Sequence, residues 1–212
     1  MKSKRENISN ALKRYIPSCY IPYIVELMFS ENLAFRISKP RKTKAGDYRP
    51  PFRGEPHRIS INGDLNPYAF LITTVHEFAH MTTYVKYGGQ VLPHGAEWKS
   101  EFKRLLIPVL EQKELPESIE KALLNSLNNL KASSCTDIHL TRALREFNKQ
   151  DDSLELLENI GNNMYFRLGK MTFQRGILRR RKYLCTEVKT GKKYLVNRLA
   201  EVEPLKKSDE RE

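Results

Sequence analysis

Hydrophobic residues in this chain change rhythm several times, and each rhythm predicts an element. Over residues 6–30 apolar positions recur at helical spacing, with Ser9 as a candidate N-cap and Pro22 suited to a first turn. Leu33, Phe35 and Ile37 then alternate with Ala34, Arg36 and Ser38 as in a strand, and residues 58–62 form a second short strand before the Gly63-Asp64 turn. Between the strands, residues 39–57 are rich in Pro, Gly and cations and read as a long functional loop. Asn66-Pro67, an N-cap followed by proline at N1, opens a helix that continues to about Tyr87. Phe70, Leu71, Ile72, Val75, Phe78, Ala79, Met81 and Val85 make that helix apolar almost all round, which is the mark of a buried helix.

Further helices are predicted over 96–110, where Trp98, Phe102, Leu105 and Leu106 form a stripe, and over 119–130. Another starts from a capping box at Ser134-Cys135-Thr136-Asp137 and runs to about Phe147. From Met164 the period shortens to two. Strands at 165–168, 177–188 and 193–197, separated by turns at Gly169-Lys170, Arg175-Gly176 and Thr190-Gly191-Lys192, predict a small antiparallel sheet. The fold class is therefore α+β: a helix-rich domain over 1–160 with a small N-terminal sheet, a basic β-rich appendage over 161–205, and a charged disordered tail over 206–212.

The length of 212 residues suits one domain with an appendage and allows a real core. No apolar run approaches 18 residues and the N-terminus leads into no signal-type stretch, so a soluble, cytoplasmic protein without a membrane partner is expected. Cys19, Cys135 and Cys185 are far apart with no C-x-x-C pair, as reduced thiols are. The net charge of +12 is uneven: residues 1–60 hold 13 Lys/Arg against 5 Asp/Glu, residues 61–160 hold 10 against 14, and residues 161–212 hold 14 against 6. Basic flanks around a mildly acidic centre suggest a polyanion partner, DNA or another nucleic acid. In the long loop Arg41, Lys42, Lys44, Arg49 and Arg53 are candidate phosphate contacts, with Tyr48 and Phe52 to stack on bases. In the appendage Arg179, Arg180, Arg181 and Lys182, interleaved with Tyr183 and Tyr194, have the same character, although cations also protect idle strand edges.

The strongest chemistry lies inside the buried helix. His76 and His80 stand at i and i+4, about 6 Å apart along the axis and on one face, and Glu77 lies beside them. This is the H-E-x-x-H arrangement of zinc hydrolases, two ligands and a base that takes a proton from water. Catalytic zinc takes three protein ligands, and His94 is the best third, because Gly88-Gly89 ends the helix and the chain through Pro93 can return it to the same face. Trp98 can wall the site, and Glu97 either bonds a ligand histidine or caps its helix. His57 reads as a surface histidine, and Cys135 with His139 is a weak second metal pair. Tyr48, Tyr68 and Tyr84 are open alternatives for stabilising an oxyanion.

His76-Glu77-x-x-His80 followed by His94-Gly95-x-Glu97-Trp98-Lys99 resembles the SprT-like family of zinc metalloproteases, which includes proteases that cleave DNA-crosslinked proteins, over residues 33–108. The resemblance implies a zincin-like domain with zinc on His76, His80 and His94, Glu77 as the catalytic acid, a protein substrate, and action near DNA. Several relatives carry a cysteine zinc ribbon that this chain, with Cys185 alone in its C-terminal part, cannot build. The rival reading is a non-proteolytic nucleic-acid-binding module with a structural zinc, and hydrolysis of a non-peptide bond is a third.

Overall fold

The computed structural model describes residues 2–41, 44–128, 137–148 and 153–205 of two compact units, Met1–Asn148 and Lys149–Glu212. Lys42, Ser134, Cys135, Thr136, residues 129–130 and the expected tail at 206–212 lie outside the described residues.

The first unit begins with α1 (Lys2–Leu12), a 3-10 turn at Ser18–Tyr20 and α2 (Ile21–Met28). One helix over 6–30 does not form, because Pro17 has no N–H to give to it and pushes the residue before it out of the helical region. Then come β1 (Leu33–Ser38), β2 (Gly46–Arg49) and β3 (His57–Asn62), ordered β1-β3-β2, with β1 parallel and β2 antiparallel to β3. β2 lies inside what the sequence predicted to be loop, and it ends the sheet as an edge.

α3 (Pro67–Tyr87) follows, then α4 (Ala96–Glu111), α5 (Glu117–Asn128) and α6 (Ile138–Arg145). α3 packs against β2, β3, α4 and α6, so apolar residues on most of its circumference find partners. Phe70, Leu71, Val75, Phe78, Ala79 and Met81 are fully enclosed, and Phe78 stacks on Phe35 of β1 at 6.3 Å between centroids. The buried hydroxyls of Thr74 and Thr83 donate to the carbonyls of Phe70 and Ala79 one turn back, which leaves neither unpaired. The cap of α6 is Asp137 rather than Ser134, its carboxylate accepting from the N–H groups of His139 and Leu140.

The second unit is a seven-stranded antiparallel sheet of β4 (Glu155–Leu156), β5 (Tyr165–Leu168), β6 (Met171–Gln174), β7 (Leu178–Arg179), β8 (Lys182–Glu187), β9 (Lys193–Asn197) and β10 (Glu201–Pro204). β4 pairs with β10, so this sheet starts ahead of residue 161. The single strand expected over 177–188 is a hairpin: Arg179 faces Lys182, and Arg180, at φ 57°, turns the chain with Arg181. Leu157, Phe166, Phe173, Cys185 and Val202 form its own core.

Asn66 joins the start of α3 to α6. Its Oδ1 accepts from the N–H groups of Tyr68 (3.1 Å) and Ala69 (2.9 Å), while its Nδ2 donates to the Leu144 carbonyl (2.8 Å) and Asn148 Oδ1 (2.7 Å). Asn66→Ala removes cap and cross-links together and should cost about 1–3 kcal/mol in urea unfolding. Asn66→Asp keeps the cap but not the donors and should fall between the two.

Candidate metal centre

Residues of α3 and of the segment between α3 and α4 build the site. α3 places His76 and His80 on one face, and their Nε2 atoms stand 3.1 Å apart. Gly88, at φ 70°, ends α3. The chain then turns back through Val91–Pro93, and His94 Nε2 comes to 3.1 Å from His76 Nε2. Gly95 is required at this turn, since a Cβ there would meet the Leu92 carbonyl oxygen at 2.9 Å. His94 itself adopts φ 61°, a left-handed conformation uncommon for a residue with a side chain and frequent where a side chain must be aimed.

The three histidines are the one group of metal-ligating side chains converging in this way among the described residues, with their donor atoms within 4.8 Å of one another. At 3.1 Å the Nε2 atoms can share a hydrogen bond in pairs, but the single lone pair of His76 Nε2 accepts only one such bond, whereas a cation satisfies all three nitrogens. The set therefore fits a metal ion that favours imidazole. Trp98, fully buried on α4, packs against all three rings at 4.6 to 5.3 Å between centroids, with Phe102 stacked behind it. Glu97 occupies the first turn of α4, where the helix dipole favours a carboxylate.

Burial sets the protonation states. It pushes His76 down to about 3, with His80 and His94 adding to the effect, and His80 down to about 4, with His94 adding; His94 is lowered by burial as well. All three rings are thus neutral, with lone pairs available to a metal, through the physiological range. Glu77, on the same helix, is pushed the other way to about 7 by burial and by the neighbouring Asp47, opposed by Arg41, Lys44 and a hydrogen bond from the Tyr48 backbone N–H.

That hydrogen bond shows what the sequence did not: β2 closes over Glu77. A Cβ on Gly46 would overlap the Glu77 carboxylate and lie 2.7 Å from its Cγ and 2.8 Å from Thr73 Cγ2. Only glycine lets this backbone approach so closely. The site opens into a cleft of about 1060 Å³ in the first unit, bordered by β2 on one side and by Leu140, Thr141 and Arg145 of α6.

Other predicted residues are placed differently. His57 is buried, because β3 begins with it and points it inward with Ile59 and Ile61; its Nδ1 lies 3.0 Å from the Tyr48 hydroxyl. Tyr48 turns its ring toward the cleft, parallel to His80 at 6.4 Å, so it does not present a face to bases outside. Tyr84 also lines the cleft, whereas Tyr68 packs edge-on against Phe147. In the second unit Arg179, Arg180, Arg181 and Lys182 are exposed at the hairpin tip. Tyr183 beside them is buried under the Arg175 guanidinium, and Tyr194 meets Phe173 edge-on.

Metal binding should lose far less between pH 8 and 6 than the roughly 60-fold that three rings at an ordinary pKa of about 6.5 would lose, since His76 and His80 stay neutral over that range and His94 is lowered as well. Competition with a chromogenic chelator at both pH values measures this. Folded values below the unfolded 6.5 also mean that the unfolded chain takes up protons first. The histidine contribution to the stability of the metal-free protein should therefore be fully present above pH 6.5 and be lost progressively as pH falls toward 4, partly offset by Glu77, whose raised pKa acts in the opposite direction.

No protein-family model, characterised protein or solved structure matches the chain.

Proposed function

We propose that the first unit is a zinc-dependent metallopeptidase, a SprT-like enzyme of zincin type, in which Glu77 is the general base. The observation that carries this reading is the pairing of three convergent neutral imidazoles with a carboxyl poised near neutrality at the wall of an open cleft. His76, His80 and His94 would hold the ion. Zinc bound there supplies Lewis acidity, polarising a scissile carbonyl and making water more acidic.

The chain's own groups do the rest. Glu77 accepts the proton of the attacking water and passes it to the departing amine, and a pKa near 7 serves both halves of that transfer. The Tyr48 N–H and the closeness of Gly46 hold its carboxylate in place. β2 pairs with β3 alone, and its other edge faces the cleft, so an extended peptide can add to it through main-chain hydrogen bonds. Such binding needs no particular side chains and suits a protein substrate. Trp98 and Phe102 keep water from behind the histidines.

The rival, a structural zinc in a nucleic-acid-binding module, calls for a fourth protein ligand, and none of the described histidines, cysteines or carboxylates joins the three. Proteins associated with nucleic acid remain a candidate substrate class. The exposed Arg179–Lys182 tip is the candidate contact for that polyanion, and no described helix is long and apolar enough to cross a membrane.

Glu77→Gln should retain bound zinc and the thermal unfolding midpoint while losing at least about a hundredfold in hydrolysis of a denatured protein substrate, the scale of one general base. Full turnover in this variant would overturn the mechanism. Gly46→Ala should also keep the metal yet lose turnover, because the methyl displaces Glu77 rather than a ligand. His94→Ala should instead show its loss in metal content. In wild type, kcat/KM should fall as pH drops through the Glu77 pKa, since only the ionised carboxylate accepts the proton.

A further inference from the structure

The three-stranded sheet has a second side. Its inner face carries Phe35, Ile59 and Tyr48 toward α3, while its outer face forms a separate cleft of about 460 Å³. Arg36, Lys39, Arg41, Arg49 and Arg58 line it together with one carboxylate, Asp47. Five cations against one acid leave +4, and Asp47 is already shared between Lys44 Nζ at 2.8 Å and Arg49 Nε at 2.9 Å.

The cluster is costly as it stands. Arg49 and Arg58 are direct partners across β2 and β3, and like charges facing each other across strands destabilise a sheet. Among the described residues no carboxylate pairs with Arg36, Lys39 or Arg58. The Nε atoms of Arg41 and Arg58 are shielded from solvent and have no hydrogen-bond partner. Arg41 is nevertheless fixed, its guanidinium donating to Ser60 Oγ and to the Ser60 carbonyl, both at 3.2 Å. Guanidinium groups gathered on one face with a single carboxylate among them can receive an oxyanion, and their forked donors match phosphate oxygens.

We propose that this outer face binds a ligand carrying at least two neighbouring phosphate groups. A single phosphate dianion leaves half of the +4 unmatched, whereas two or more phosphates neutralise it. No aromatic residue lines the cleft, so recognition is of phosphate rather than of a base. The site does not depend on the metal reading, although Arg41 and Asp47 border both clefts.

The test is calorimetric titration of the full chain with tripolyphosphate, with inorganic phosphate as the weaker comparison, in wild type, R36Q/R49Q/R58Q and R179Q/R180Q. Tripolyphosphate should bind wild type and R179Q/R180Q alike, and the triple variant at least about tenfold more weakly, the effect of losing one or more charge-assisted pairs. Because Arg58 is half-buried, R36Q/R49Q serves as a second variant whose exposed side chains can change without disturbing the fold; it should lose affinity while keeping its metal content and unfolding midpoint. A short single-stranded oligonucleotide distinguishes the sources. If it competes with tripolyphosphate and its log-log salt slope flattens by up to about two units in the triple variant, the phosphates are those of a nucleic-acid strand. If it does not compete while tripolyphosphate binding stays variant-sensitive, the ligand is a small oligophosphate. Failure of tripolyphosphate to bind wild type, or equal binding by wild type and both sheet variants, overturns the proposal.

Discussion

Enclosing three imidazoles and a carboxyl against an apolar helix, which itself supplies two of the rings and the carboxyl, is the constraint on which the first unit depends. Left in an apolar interior such groups are expensive unless something pairs with them, and α3 has protein on most of its circumference. The arrangement meets that cost by gathering the polar atoms at one place. The histidine nitrogens face each other, the Glu77 carboxyl meets the Tyr48 N–H, and Trp98 separates the cluster from the rest of the core. The same desolvation then acts in opposite directions on bases and acids. It strips protons from the rings, which leaves their lone pairs available to a metal, and raises the carboxyl to about 7, where it exchanges a proton near neutral pH.

How much of this was legible depends on whether the relevant contact is local. His76, Glu77 and His80 could be read because a helical period fixes their mutual positions, and His94 because a glycine stop and a short return leave it few places to go. Gly46 and the Tyr48 N–H could not. Their partner is distant in sequence, and β2 is four residues long with one apolar side chain, too short for alternation to emerge from a stretch rich in Pro and Gly. The early break at Pro17 was missed because apolar periodicity continued across it, and the hairpin at Arg180-Arg181 because its run of cations holds no Gly, Pro, Asn or Asp to signal a turn.

The aromatic residues beside the cations show a more general misreading. Tyr48 next to Arg49, and Tyr183 next to Lys182, suggested stacking platforms interleaved with phosphate contacts. In a strand, neighbours point to opposite faces, so a basic residue directed to solvent places the adjacent tyrosine inside. That is where both tyrosines lie, one over the histidine cleft and one under Arg175. His57 is the same effect at the end of a strand: extending β3 by one residue moved it from the surface to the interior.

Strand β2 brings these points together. An exposed sheet edge invites pairing with other chains, and proteins protect such edges with charges or by keeping them short. β2 does both, through its four residues and through Asp47 and Arg49 on its outer side. Toward the cleft, however, it presents Gly46 and the backbone of Tyr48 without bulk, and it spends one N–H on Glu77. An edge guarded on one side and bare on the other has a preferred direction of approach, along the cleft and past Glu77. Alternation therefore lets four residues serve two surfaces, with Gly46 and Tyr48 toward the histidines and Asp47 and Arg49 toward the outer face, while Asp47 and the nearby Arg41 and Lys44 still act on Glu77 through their charge.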